Sequence, residues 1–194
     1  MPVVNRTLII INVLVFLLQP SLGSKGIYLA LWPLQQGSPF YPWQLVSYGF
    51  LHSGITHLLV NMLALYMFGG DLERLWGPRR YLQLYFASIV SAGLVQMLFQ
   101  STSGHAVPTV GASGAVFGIL LGFAMYFPRR IIVPLIPPIP MKAKVFVALF
   151  GALELLMGLS GASGVAHFAH LGGMLGGFLM IQYWRGRAPF GRRR

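Results

Sequence analysis

Six stretches of the chain are almost wholly apolar, and the polar residues gather in short clusters between and at the mouths of them. They lie at residues 7–20, 51–70, 80–99, 112–128, 143–158 and 168–184. A helix of about 20 residues crosses a hydrocarbon core of roughly 30 Å, and shorter ones serve where protein lines the path. The pattern predicts an all-α polytopic membrane protein: one domain over 1–194 with six transmembrane helices. Pro20, Pro128 and Pro189 fall at or beyond span ends, where a missing amide donor is tolerated.

The connections differ in character. Residues 21–50 mix Trp32, Phe40, Tyr41 and Trp43 with Pro33, Pro39 and Pro42. Aromatic rings with a polar edge suit the headgroup region, so this segment reads either as an ordinary interfacial loop or as part of a substrate entrance. Residues 131–140 hold Pro134, Pro137, Pro138 and Pro140, which rules out regular helix throughout. Gly172, Gly173, Gly176 and Gly177 form a small-residue face on the last span, a signal for close helix packing.

Composition sharpens the membrane assignment. The chain is 56% hydrophobic and 9% charged, with three acidic residues, whereas soluble domains carry about 25% charge. The net charge of +11 raises nucleic-acid binding as a function. Its basic residues sit at the ends of apolar runs and in a short tail, not on a soluble face, so no nucleic-acid partner is expected. With the N-terminus inside, Lys25 is the single one of the fourteen basic residues on the outer side. That asymmetry puts both termini in the cytoplasm. There is no cysteine, hence no disulfide framework and no Cys metal site. The first apolar run reads as a span, not a cleaved leader. Compact length and the lack of a targeting segment point to a cell membrane. Without a soluble interface or zipper, a monomer is the default.

Polar groups inside a bilayer are functional hypotheses by default. His57 and Asn61, at i and i+4, share a face near the outer end of the second span. Gly111-Ala112-Ser113-Gly114 opens the fourth span, and His167 and His170 open the sixth. His57, Asn61, Ser113 and His170 thus converge at one depth from three helices. Acyl transfer suits this set. A serine hydroxyl needs a neighbouring base, and a neutral imidazole serves. The small residues Gly111 and Gly114 leave the Ser113 hydroxyl open, and the Ser113 N–H, Asn61 amide and His57 ring are candidates to hold an oxyanion. Each residue alone has a plainer explanation: small residues pack helices, and His and Asn serve as interhelical hydrogen-bond glue. Their joint placement favours catalysis.

The choices within pairs follow from position. Ser163 lies in a second Gly-Ala-Ser-Gly, but in an outer loop. His167 is three residues before His170 and could share its face; His170 lies deeper, beside the glycine face. His52 reads as a loop-anchoring or secondary residue and His105 as a loop histidine. No HExxH motif supplies zinc ligands, and the single aspartate, Asp71, excludes a paired-aspartate site. No metal and no cofactor is expected. Asp71 and Glu73 lie at the inner end, leaving Glu154 as the one acid near the outer level. It either reaches the site or pairs locally, and a Ser-His dyad is preferred.

At these residues the chain resembles the rhomboid family of intramembrane serine proteases in its compact six-span bacterial form. The matching elements are His57-Leu58-Leu59-Val60-Asn61, Gly111-Ala112-Ser113-Gly114 and Ala169-His170-Leu171-Gly172-Gly173 with Gly177. The resemblance implies a Ser113 nucleophile, a His170 base, and His57 with Asn61 around the oxyanion. Phe117 stands where the family often has a tyrosine packed on the catalytic histidine, and Trp43-Gln44 stands where it often has Trp-Arg. Glu73 and Arg74 resemble a structural polar cluster. Substrates would be membrane proteins cut in or beside a transmembrane segment. The rival expectations are an inactive relative that binds transmembrane segments, and a small transporter. The latter lacks the mid-membrane ionisable group and inverted repeat such proteins use.

Overall fold

The computed structural model describes residues 1–34, 37–103, 107–135, 137–160 and 166–186. His105, Ser163 with its Gly-Ala-Ser-Gly, Pro189, Arg187, Arg192, Arg193 and Arg194 lie outside the described residues. Seven α-helices are present among those described: α1 (Val3–Leu18), α2 (Gln44–Ser47), α3 (Ile55–Ala64), α4 (Gly70–Ser103), α5 (Ser113–Tyr126), α6 (Ala143–Ser160) and α7 (His167–Trp184). A 3-10 stretch, Gln19–Tyr28, prolongs α1, and a π-helical turn, Leu65–Gly69, joins α3 to α4.

Among the described residues, three helical stretches are long and apolar enough to cross a membrane: Val3–Tyr28, Ile55–Ser101 and Ala143–Ser160. Leu17, Leu98 and Leu159 point outward, 67%, 70% and 70% exposed, while Asn5, Asn12 and Gln44 are fully buried. Water would not tolerate that inversion over so much of a surface. The molecule is an all-α polytopic membrane protein.

The segment between the second and third predicted spans is not a loop. Helix runs on from Gly70 and breaks at Gly77, whose φ of 78° is open to glycine at little cost, followed by Pro78. Asp71, Glu73 and Arg74 therefore sit on a helix end. The proline-rich connection also carries a small antiparallel ladder, β1 (Ile131–Ile132) with β2 (Met141–Lys142), pairing Ile131 with Lys142 and Ile132 with Met141. Prolines 134–140 cannot continue a helix, so the chain turns back and its flanks pair.

Helix α7 is the centre of the bundle, with one glycine face toward α4 and another toward α5. On one side a Cβ at Gly172 or Gly176 would strike α4 at Ala92 and Ala87; on the other, a Cβ at Gly173 or Gly177 would strike the α5 backbone at Gly114 and Gly118. This close packing sets the α5–α7 spacing at the level of Ser113 and His170.

Helix α1 is tied to the bundle by polar bonds. The Glu73 carboxylate accepts the Val4 and Asn5 N–H groups at 2.9 and 2.7 Å, capping the first turn of α1. Asn5 Nδ2 donates to the Leu65 carbonyl at the π-helical turn, and Tyr81 donates to Asn5 Oδ1 at 2.6 Å. Arg74 does not join this cluster; it pairs with Asp71 at the surface, as does Arg130. Trp76 packs edge-on to Tyr126 and Trp184, with Arg185 over Tyr126 and Arg80 over Trp184. This basic, aromatic end holds the C-termini of α5 and α7, opposite Ser113 and His170.

Candidate active site

Helices α3, α5 and α7 begin at the same end of the bundle, and their first turns bring His57, Ser113, and His167 with His170 there. Gly111, with φ of 125°, turns the chain into α5, and its N–H donates to the Tyr48 carbonyl at 2.9 Å. A Cβ on Gly111 would lie 2.6 Å from the His57 Nε2 and 3.7 Å from the Ser113 hydroxyl. A side chain there would occupy the gap between imidazole and hydroxyl. Glycine keeps it open.

Ser113 is the first residue of α5 and half-buried. The opening N–H groups of a helix lack intrahelical acceptors, so those around Ser113 can serve an oxyanion beside the hydroxyl. Phe117, one turn on and on the same face, lies flat on the His170 ring, centroids 4.3 Å apart and planes 7° apart. Ser113 therefore faces the α7 side. His170 is 8% exposed. The turn that carries it is held by Gln96 of α4, whose Oε1 accepts the Ala169 N–H at 3.0 Å. No hydrogen bond joins Ser113 to His170 among the described residues, a looseness common in unliganded sites.

His57 is held by Ser53, whose hydroxyl lies 3.0 Å from Nδ1, leaving Nε2 turned toward Gly111. Asn61 is buried, and its Nδ2 donates to the His57 carbonyl at 2.9 Å. One amide hydrogen is thus engaged within α3. His52 is buried edge-on to His57 at 5.1 Å, and Gln19 bonds its backbone N–H and C=O. These two hydrogen bonds anchor the loop to the end of α1 through the backbone of residue 52; the His52 ring nitrogens have no hydrogen-bond partner among the described residues.

Sequence reading left Glu154 open between two roles, and the fold places it against the site. Its Oε2 lies 2.5 Å from His167 Nδ1 and 2.8 Å from His170 Nδ1. The contact with His167 has hydrogen-bond alignment; that with His170 is as close but out of line. The signal for it was an acid at the outer level of a neighbouring span. Glu154, His167 and His170 have the donor types of a zinc site. Their donor atoms all lie within 4.8 Å of one another.

Comparison with known proteins agrees in extent and character. The family model described as Rhomboid domain matches residues 39–187. Presenilin-associated rhomboid-like protein A of Danio rerio is 30% identical over 75% of this chain and 39% of its own. RHOMBOID-like protein 4 of Arabidopsis thaliana is 37% identical over 71% and 33%. Rhomboid protease GluP of Bacillus subtilis is 32% identical over 70% and 25%. The matched region is thus at most about two fifths of these relatives' length.

Proposed function

The chain belongs to the rhomboid family, and from that premise we propose that it is an intramembrane serine endopeptidase acting through Ser113 and His170. The observation that carries this reading is the convergence at Gly111. The Ser113 hydroxyl and the His57 ring lie within 4 Å of one point, while Phe117 holds the His170 ring one turn away. Six spans follow if the Ile55–Ser101 stretch counts as two, split at Gly77, and α5 and α7 cross as shorter or more polar helices. Arg74, Arg80, Arg130 and Arg185 at the end opposite Ser113 support cytoplasmic termini and a site opening toward the outer face.

In the proposed cycle His170 takes the Ser113 proton as the oxygen attacks the scissile carbonyl. His57, Asn61 and the α5 N-terminal N–H groups hold the oxyanion, each donor contributing about 3 kcal/mol in the transition state. The C–N bond breaks, His170 protonates the departing amine, and the acyl-enzyme is hydrolysed by water that His170 deprotonates. The substrate is a membrane protein with a helix-weak stretch, because a regular helix keeps its carbonyls bonded and covered.

A fluorescent fluorophosphonate on the detergent-solubilised protein tests the assignment. Labelling and cleavage of a transmembrane substrate are expected in wild type and absent in Ser113→Ala and His170→Ala. Cleavage surviving in folded Ser113→Ala rejects the nucleophile; activity kept in His170→Ala and lost in His167→Ala moves the base. The second reading is a relative of the same fold that binds transmembrane segments without cutting them. A folded wild type that neither labels nor cleaves would select it.

A further inference from the structure

His170 has two ring nitrogens, and a base that receives a proton at one needs the other held. Phe117 holds the ring plane by stacking, but its edge has no group to bond a nitrogen. Across the described residues, the acid nearest this imidazole is Glu154, with Oε2 2.8 Å from Nδ1. We propose that Glu154 is the positioning residue for His170, a carboxylate that receives Nδ1–H and leaves Nε2 to face Ser113, making the site a Ser-His-Glu arrangement. The inference rests on the protease reading above.

Three observations support it. First, Glu154 is the one acidic residue at this level: Glu73 caps α1, and Asp71 pairs with Arg74 and Arg130 at the basic end. Second, a carboxylate in an apolar span is costly unless it is bonded. The apolar residues flanking Glu154, Leu153 and Leu155, face outward at 51% and 45% exposure, while Glu154 turns in between two histidines. Third, the nitrogen it approaches is Nδ1 in both rings. Binding at Nδ1 fixes the tautomer whose Nε2 is the acceptor, the form a general base requires.

His167 completes the geometry. Its Nδ1 makes the aligned bond to the same oxygen, so it braces the carboxylate, while the 2.8 Å contact with His170 lacks hydrogen-bond alignment. A small turn of the carboxylate aligns it with His170 as the imidazolium forms. Phe117, stacked on the ring, carries no charge, and His57, the other titratable group that faces His170, is a base and not an acid, so neither could do the same.

The test measures kcat and KM on a transmembrane substrate, the fluorophosphonate labelling rate and the melting temperature, all in detergent, for wild type, Glu154→Gln, Glu154→Asp and Ser113→Ala. Ser113-dependent labelling of wild type establishes the protease reading on its own; its absence overturns that reading and this inference together. Given labelling, Glu154→Gln is expected to lower kcat and the labelling rate by the same factor, at least about 10-fold, with KM and melting temperature little changed. Glu154→Asp, which keeps the charge one methylene short, is expected to fall between the two. Glu154→Gln at the wild-type kcat overturns the inference, as does a loss seen in KM and melting temperature but not in kcat. Should Glu154→Gln fail to fold, Glu154→Asp decides: a kcat equal to wild type overturns the inference, and a reduced kcat at unchanged KM supports it.

Discussion

The Phe117 ring is stacked on the His170 imidazole, 7° from parallel and 4.3 Å between centroids. Such a pair contributes about 0.5–1.5 kcal/mol beyond its buried area, here spent on the orientation of one ring. Phe117→Ala is expected to reduce kcat by up to about 10-fold, and Phe117→Tyr to retain it. Steady-state cleavage with melting curves checks both; full kcat in Phe117→Ala would show that the stack is incidental.

The two glycine faces of α7 predict a graded stability series. Gly173→Ala would push a methyl into the Gly114 backbone carbonyl, and Gly177→Ala one against Gly118. Neither obstacle is a flexible side chain, so each is expected to cost about 1–3 kcal/mol or more and to part α5 from α7. Gly26→Ala, with open space around it, should stay within about 0.5 kcal/mol. Thermal or denaturant unfolding in detergent compares the three.

Glu73 and Asp71 are two residues apart on one helix, yet their substitutions should differ sharply. Glu73→Ala leaves two N–H groups of α1 without their acceptor, at about 1–3 kcal/mol for each buried group left unpaired. Asp71→Ala removes surface pairs worth at most about 1 kcal/mol. Both lie at the end away from Ser113, so kcat of the folded fraction should match wild type in each. Equal melting temperatures for the two variants would contradict the capping role.

His57→Ala should lower kcat by about 100-fold with little change in KM, because an oxyanion donor acts on the transition state. Asn61→Ala should do likewise if its second amide hydrogen serves the oxyanion. A loss confined to KM would recast both as substrate-binding residues.

Much of the site was legible before any coordinates. His57, Ser113 and His170 each stand near the start of an apolar run, and the helices that carry them begin at one end of the bundle. The Gly172–Gly177 face announced close packing. The π-helical turn at Leu65–Gly69, the break at Gly77 and the short ladder after Pro128 were not legible, since each depends on what the neighbouring chain offers. The turn exposes the Leu65 carbonyl because Asn5 is there to bond it. Glu73 looked like part of a polar cluster with Arg74, but its partners are backbone groups 68 and 69 residues away, which no side-chain pattern advertises.

Depth in a membrane is a local property. It follows from how many apolar residues separate a group from the nearest charge or loop, and the chain by itself determined it. Direction around the helix axis is different. A span that is apolar on all sides carries no hydrophobic face to orient it, so Glu154 could have turned to lipid, to α7 or to another copy. The tertiary structure decided that it turns to α7, because Gly151 and Gly158 of α6 leave room for Met174, His167 and Phe168 of α7, and there His167 bonds the carboxylate with His170 beside it.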